Sequence, residues 1–175
     1  MSAPDLMVIG AGPVGLLMAY EARRHGLSVR IIDQRAEASI HSKAQIIHAR
    51  TLEILEDMGI VGRILDRGIP INAIKLYEHQ SRERLAHMVI AGNGSHYEGL
   101  WSISQHDTEL IFAEVLAELG VEVERRVQLE SLDARDDCVQ LRQRHLDAGR
   151  EEELCVPWVV GCDGNCGLKD TLTVM

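Results

Sequence analysis

Leu6-Met7-Val8-Ile9-Gly10-Ala11-Gly12-Pro13-Val14-Gly15-Leu16-Leu17-Met18-Ala19 is the stretch whose reading decides the fold. A short apolar run feeds into Gly-x-Gly-x-x-Gly, and an apolar helical pattern follows. Strand, tight turn and helix in that order form the phosphate-binding turn of a dinucleotide-binding βαβ unit. Gly10 permits the tight turn, Gly12 lets the backbone approach a pyrophosphate, and Gly15 lets helix and strand pack closely. Pro13 suits the first helical turn, where its missing N–H costs nothing. The free N–H groups and the positive end of the helix dipole then face the phosphates.

Working outward, a second apolar run from Leu27 to Ile32 ends in Asp33, 18 residues beyond Gly15. A βαβ unit places there the carboxylate that accepts hydrogen bonds from the adenosine ribose. An acid at that point repels a 2′-phosphate, so FAD or NAD suits the site better than NADP. The plain alternative is a glycine turn of some other α/β protein, with Asp33 merely ending a strand.

A chain of 175 residues suits one domain, with room for a small annex. With 46% hydrophobic residues but only two Trp, three Tyr and one Phe, the core must be packed mainly by aliphatic side chains. Lys plus Arg is 18 against 27 Asp plus Glu, a net charge of −9, which argues against nucleic acid or an anionic membrane as the main partner. No apolar run approaches the roughly 20 residues that span a bilayer, and the N-terminus enters a strand almost at once, so a cytoplasmic location is expected. In that compartment Cys138, Cys155, Cys162 and Cys166 are expected to be reduced thiols. Cys162 and Cys166 are four apart, but no second pair or nearby histidine completes a metal set, so no metal is expected.

The helix after the turn is predicted from Pro13 to about His25, with Val14, Leu17, Met18 and Ala22 as its buried stripe and Gly26 as its stop. Helices are predicted over about Ala49 to Met58, with Leu52, Leu55 and Met58 on one side, and over Val61 to Asp66. From Asn72 to Ile90 the pattern turns to strand: Ile74, Leu76 and Tyr77, a polar turn at His79 to Arg82, and a return over Leu85 to Ile90. A helix over about Asp107 to Leu119, with Leu110, Ile111, Val115 and Leu119 inward, ends at Gly120, and Val121 and Val123 open the next strand. Val127 to Ala134, Cys138 to Arg144 and Leu154 to Val156 read as an antiparallel meander with one wet face. Trp158 to Gly164 is a buried strand running into an Asp-Gly turn.

With these pieces in place the chain resembles the FAD-dependent aromatic-ring hydroxylases, the single-component flavoprotein monooxygenases. Ser42-Lys43-Ala44, followed by His48-Ala49-Arg50-Thr51-Leu52-Glu53-Ile54-Leu55, resembles the family's segment after the second strand. Gln105 matches a glutamine that touches the flavin side of FAD, and Val127 falls where a backbone contact to adenine is usual. Val160-Gly161-Cys162-Asp163-Gly164 resembles the Asp-Gly motif that supports FAD and is linked to pyridine-nucleotide binding. The resemblance therefore implies FAD as cofactor, held by Gly10, Gly12, Pro13, Val14, Gly15, Asp33, Arg35, Lys43, Arg50, Gln105, Val127, Asp163 and Gly164.

Lys43 or Arg50 could supply a cation for the pyrophosphate, or each could be a solvated surface charge. Arg35 could lie along the adenine or stand as an exposed loop arginine. Gln105 could instead cap its helix, and Asp163 could be a plain turn residue. Two departures stand out: the family usually has arginine where Lys43 stands, and Asn165-Cys166-Gly167-Leu168-Lys169 replaces the serine and Val-Arg pair that tend to follow Asp-Gly.

The implied fold is an α/β, Rossmann-like FAD-binding domain of the glutathione-reductase type over 1–175. It would carry a small β-meander and, inserted at 72–100, the first hairpin of a truncated substrate domain. The implied activity is hydroxylation of a small aromatic, phenol-like substrate with NAD(P)H and O₂. Because the family's second Gly-Asp motif and much of its substrate pocket have no counterpart in these residues, the chain alone is expected to turn over poorly, and apolar surface left exposed could drive self-association. A halogenase or isoprenoid reductase sharing the first domain, or a non-catalytic nucleotide-binding remnant, are the alternatives. No protein acid or base is implied.

Overall fold

In a computed structural model the protein is described over residues 3–38, 46–90 and 94–164. In chain order the elements are β1 (Leu6–Ile9), α1 (Pro13–Arg24), β2 (Val29–Asp33), β3 (Ile46–Ile47), α2 (Ala49–Asp57), α3 (Val61–Arg67), β4 (Ile69–Ile71) and β5 (Ala73–Tyr77). They continue with β6 (Arg84–Val89), β7 (Leu100–Ser102), α4 (Gln105–Glu118), β8 (Val123–Arg125), β9 (Val127–Ala134), β10 (Val139–His145), β11 (Arg150–Val156) and β12 (Trp158–Gly161). The chain divides into two compact units, one of 1–40 with 109–175 and one of 41–108.

The first unit is built on a parallel sheet in the order β12-β1-β2-β8. Flanked on both edges, β1 is apolar at every position, and all four of its residues are buried. Continuous rather than alternating hydrophobicity is what a parallel strand covered on both faces requires. Met7, Ile9 and Ile32 form one core with Val127, Leu141 and Val156 of an antiparallel meander, β11-β10-β9. Burying each such side chain contributes about 1.5–3 kcal/mol, against about 0–1 kcal/mol for a surface ion pair. The aliphatic cluster is thus the main force joining meander to sheet.

Helix α1 packs on β1 and β2 through Gly15, Leu16, Ala19 and Ala22. This corrects the predicted stripe: Val14 is 70% exposed and Met18 is exposed as well. The close approach of Gly15 to the turn fixes the helix's rotation, so the face next to that glycine goes inward whatever the neighbouring apolar content. In α4 the buried set is Glu109, Ile111, Phe112, Val115 and Leu116, and the predicted inward Leu110 is exposed while Leu119 is half-buried. The third meander strand starts at Arg150, four residues before the predicted Leu154, because its first half is charged.

Cys138 and Cys155 are joined in a disulfide, Cα–Cα 5.8 Å, which corrects the expectation of reduced thiols for this pair. The β10–β11 register sets Gln140 opposite Cys155, and Cys138, two residues back along the same strand edge, falls diagonally across from it. Among the described residues no helix is long and apolar enough to cross a membrane, and no group of three or more His, Cys, Asp or Glu could hold a metal ion.

In the second unit α2 and α3 pack together around Leu52, Leu55, Met58, Ile60 and Ile64, all buried. A small antiparallel sheet, β3-β7-β4, is a feature with no counterpart in the sequence reading. The hairpin β5-β6 is antiparallel, with Ile74 opposite Met88. Its Leu76, Tyr77, Leu85, Met88 and Val89 are exposed.

Candidate functional site

The glycine turn sits where β1 hands over to α1. Gly10 has φ +99°, and a Cβ on it would lie 2.7 Å from the backbone of Cys162 and Asp163. A Cβ on Gly15 would lie 1.9 Å from the carbonyl oxygen of Gly10. Both positions are closed to any side chain by backbone that cannot move aside. At Gly12, by contrast, a Cβ would meet nothing within 4 Å among the described residues. Its backbone is extended, φ −78° and ψ −179°, so no intrinsic strain demands glycine there. A glycine that the fold does not need, facing open space, is the signature of a backbone left bare for a ligand.

The start of α1 fits an anion. Gly12 is its N-cap with no side-chain capping bond, Pro13 occupies the first position, and the first turn carries no acidic residue. Amides at this end keep their donors toward the space beside Gly12, and the helix dipole adds to them. Val14, in that same turn, is exposed and takes no part in the core. The Asp-Gly turn adjoins: Cys162 donates its N–H to the Ile9 carbonyl at 2.7 Å, and Gly164 takes φ +78°.

Asp33 closes the other side of the turn. Only 5% exposed, it accepts hydrogen bonds at Oδ2 from the Ala11 amide at 2.8 Å and from Arg35 Nη2 at 2.9 Å. Its Oδ1 accepts from the Arg35 amide at 2.8 Å and from Arg35 Nε at 3.2 Å. Burial pushes the carboxyl's pKa up, but the hydrogen bonds from Arg35 and Ala11 together outweigh it and hold the group below the usual carboxylate range. Arg35, left open by the sequence between an adenine neighbour and a free loop residue, is here the ion-pair partner of Asp33.

Arg125 is a residue the sequence reading missed. It is the register partner of Asp33 across β2 and β8, with Nη1 3.7 Å from Asp33 Oδ2. Burial pushes its guanidinium's pKa down. The signal lay in the Arg-Arg pair after Val123, which only strand pairing connects to Asp33. Val127, two residues on, has its side chain in the core, so only its backbone is available to a ligand.

Three candidates remain. Lys43 lies outside the described residues. Arg50 and Gln105 belong to the second unit, Arg50 exposed on α2 and paired with Glu53 at 2.9 Å. Gln105 is the first residue of α4. Ser104 caps that helix, accepting from the Asp107 amide at 3.0 Å and donating to the Asp107 carboxylate at 2.5 Å.

Strand, bare glycine turn, uncapped helix and a strand-end acid bound to the turn define a dinucleotide-binding α/β domain. The FAD binding domain family matches residues 4–171, and the chain belongs to that family; its cofactor is FAD. Among curated relatives it is 34% identical over 93% of its length to a 6-methylpretetramide 4-monooxygenase of Streptomyces rimosus, of which it covers 29%. It is 29% identical over 91% of its length to a pentachlorophenol 4-monooxygenase of Sphingobium chlorophenolicum, again covering 29%. The solved p-nitrophenol 4-monooxygenase PnpA of Pseudomonas putida DLL-E4 superposes with TM-score 0.83 at 25% identity, over 93% of this chain and 41% of that one. The chain thus spans about a third of the length of the relatives it matches.

Proposed function

We propose that this chain is the FAD-binding part of a flavoprotein monooxygenase that hydroxylates a small, phenol-like aromatic with NAD(P)H and O₂. The single observation that carries the cofactor half of this reading is Gly12, a glycine required by no internal contact at the mouth of an uncapped helix. The reaction half rests on relatives named as monooxygenases, one of them acting on pentachlorophenol.

Bound FAD supplies the redox and oxygen chemistry. The protein's part is to bind and orient. Gly10 and Gly15 hold the turn closed, and Gly12, Pro13 and Val14 would cradle the pyrophosphate. Asp33 would receive the ribose hydroxyls, and the Val127 backbone would meet the adenine. Asp163 and Gly164 would support the cofactor from the neighbouring strand end; the family resemblance also assigns Lys43 or Arg50 to the phosphates and Gln105 to the flavin side of FAD. The fold this implies is the glutathione-reductase type, with 72–100 as a substrate-layer hairpin. The chain alone is expected to turn over poorly.

The test is a flavin fluorescence titration of the purified chain with FAD, followed by an oxygen-uptake assay with NADH or NADPH and a phenol. Saturable FAD binding that weakens in Gly12→Val, without phenol hydroxylation by the chain alone, is the expected result. A well-folded chain that ignores FAD would defeat the reading.

A further inference from the structure

The carboxylate proposed to receive the ribose has no acceptor capacity left. An ionised carboxylate offers about four lone-pair sites, and Asp33 already accepts from the Ala11 amide, the Arg35 amide, Arg35 Nε and Arg35 Nη2. A ribose hydroxyl cannot be added to this set; it must replace a member. The two amides are fixed by the turn and by the chain following β2. The Arg35 guanidinium is the replaceable member, since its side chain is 43% exposed and can swing into water that solvates it again.

The second cation cannot leave so easily. Arg125 stands on β8, its side chain 22% exposed, and its buried Nη1 has no hydrogen-bond partner among the described residues. At 3.7 Å from Asp33 Oδ2 it is too far to donate a bond but near enough to act as a charge. It faces the oxygen that Arg35 Nη2 now occupies.

We propose that Arg35 holds the ribose's place on Asp33 in the free protein and is displaced by the adenosine hydroxyls, while Arg125 remains as the resident cation that keeps Asp33 charged and oriented. This rests on the FAD-binding reading above and adds a binding-controlling role for two arginines, of opposite sign. Arg35 competes with the cofactor, and Arg125 supports it.

The experiment is a titration of the full chain and its variants with FAD, with ADP, and with 2′,3′-dideoxy-ADP, which lacks the competing hydroxyls. Arg35→Met is expected to tighten FAD and ADP about threefold to tenfold, the size of one net hydrogen bond. It should leave the dideoxy compound unchanged and lower the melting temperature of the ligand-free chain. Arg35→Lys, which keeps a charge but not the fork, should fall between. Arg125→Met is expected to weaken FAD about tenfold or more; Arg125→Lys serves if that variant does not fold. Weaker FAD binding in Arg35→Met, or equal tightening of ADP and its dideoxy analogue, overturns the exchange. If the unsubstituted chain binds no FAD, the underlying reading fails and takes the exchange with it. If it binds FAD in a Gly12-dependent way but neither arginine matters, the reading stands and the exchange alone is lost.

Discussion

Ala11 donates its backbone N–H to Asp33 Oδ2 at 2.8 Å, so the acid that ends one strand fastens the glycine turn that ends its neighbour. Asp33 therefore has a structural duty before any ligand arrives. Asp33→Ala should destabilise the ligand-free chain by about 1–3 kcal/mol, because a buried amide loses its acceptor. Asp33→Asn, whose Oδ1 can still accept from Ala11, should cost less. Because the folded carboxyl titrates below the usual range near 3.8, this contribution is fully present above that range and is lost as pH falls through the depressed value. Urea denaturation of the three proteins at neutral and acid pH measures it. An Asp33→Ala chain as stable as its parent would disprove the fastening role.

The three glycines should separate cleanly under substitution. Gly15→Ala drives a Cβ to 1.9 Å from the Gly10 carbonyl oxygen, and overpacking against backbone costs about 3 kcal/mol. For a chain of this size that is a fall of roughly 6–12 °C in Tm. At Gly12→Val the added Cβ has no atom of the described residues within 4 Å and the backbone conformation is an allowed one, so Tm should stay within about 2 °C while FAD binding weakens. Differential scanning fluorimetry with and without FAD reads both. Equal losses of Tm at the two positions would show that Gly12 is structural after all.

These contrasts mark what a sequence can and cannot reveal here. The β1–α1–β2 unit was legible because its spacing is dictated by backbone geometry: a buried strand, positive φ at Gly10, contact at Gly15. The inward face of α1 was not, since apolar content pointed to Val14 and Met18, whereas the helix is rotated by its contact at Gly15. The sheet β3-β7-β4 consists of strands of two or three residues, one containing Pro70. Such pieces are too short for alternation to register.

Within the candidate site, Gly10, Gly12, Gly15 and Asp33 were legible as candidates because the turn and the strand end call for those residue types. Arg125 could not. It ends a three-residue strand of Val, Glu and Arg, and only the β2–β8 register brings it to Asp33. The first half of β11 was hidden for a related reason. Arg150, Glu151, Glu152 and Glu153 look like a solvated charge run, yet the strand is held there by pairing with β10 and by ion pairs.

The Cys138–Cys155 bridge closes a sequence separation of 17, for which the loop-entropy relation gives about 3 kcal/mol. Dithiothreitol, or the double substitution of both cysteines by serine, should lower Tm by roughly 6–12 °C. Thiol counting on unreduced, denatured protein should find Cys162 reactive and this pair protected. Four reactive thiols in freshly purified protein would show that the bridge does not form.

Arg30 carries the last expectation. From β2 it donates to both oxygens of Glu124 on β8, at 2.6 and 2.7 Å, and through Nη1 to Glu152 on β11 at 3.0 Å. Glu152 also accepts from Gln143 Nε2 and contacts His145 Nε2, each at 2.9 Å. The meander is thereby tied to the parallel sheet by charge as well as by the aliphatic core. Hydrogen bonding from Arg30, with smaller help from His145 and Gln143 and against the cost of burial, brings the Glu152 carboxyl down to about 2 from 4.5. A depressed folded value means that its stabilisation is complete above pH 4.5 and is lost as pH falls toward 2. Because the group is partly open to water, about 1–2 kcal/mol is the expected size. Glu152→Gln should be less stable than the parent by that amount at pH 6 and indistinguishable from it near pH 2. Parallel denaturation curves across that range decide the matter: a difference that does not shrink on acidification would mean that Glu152 acts through packing and not through its charge.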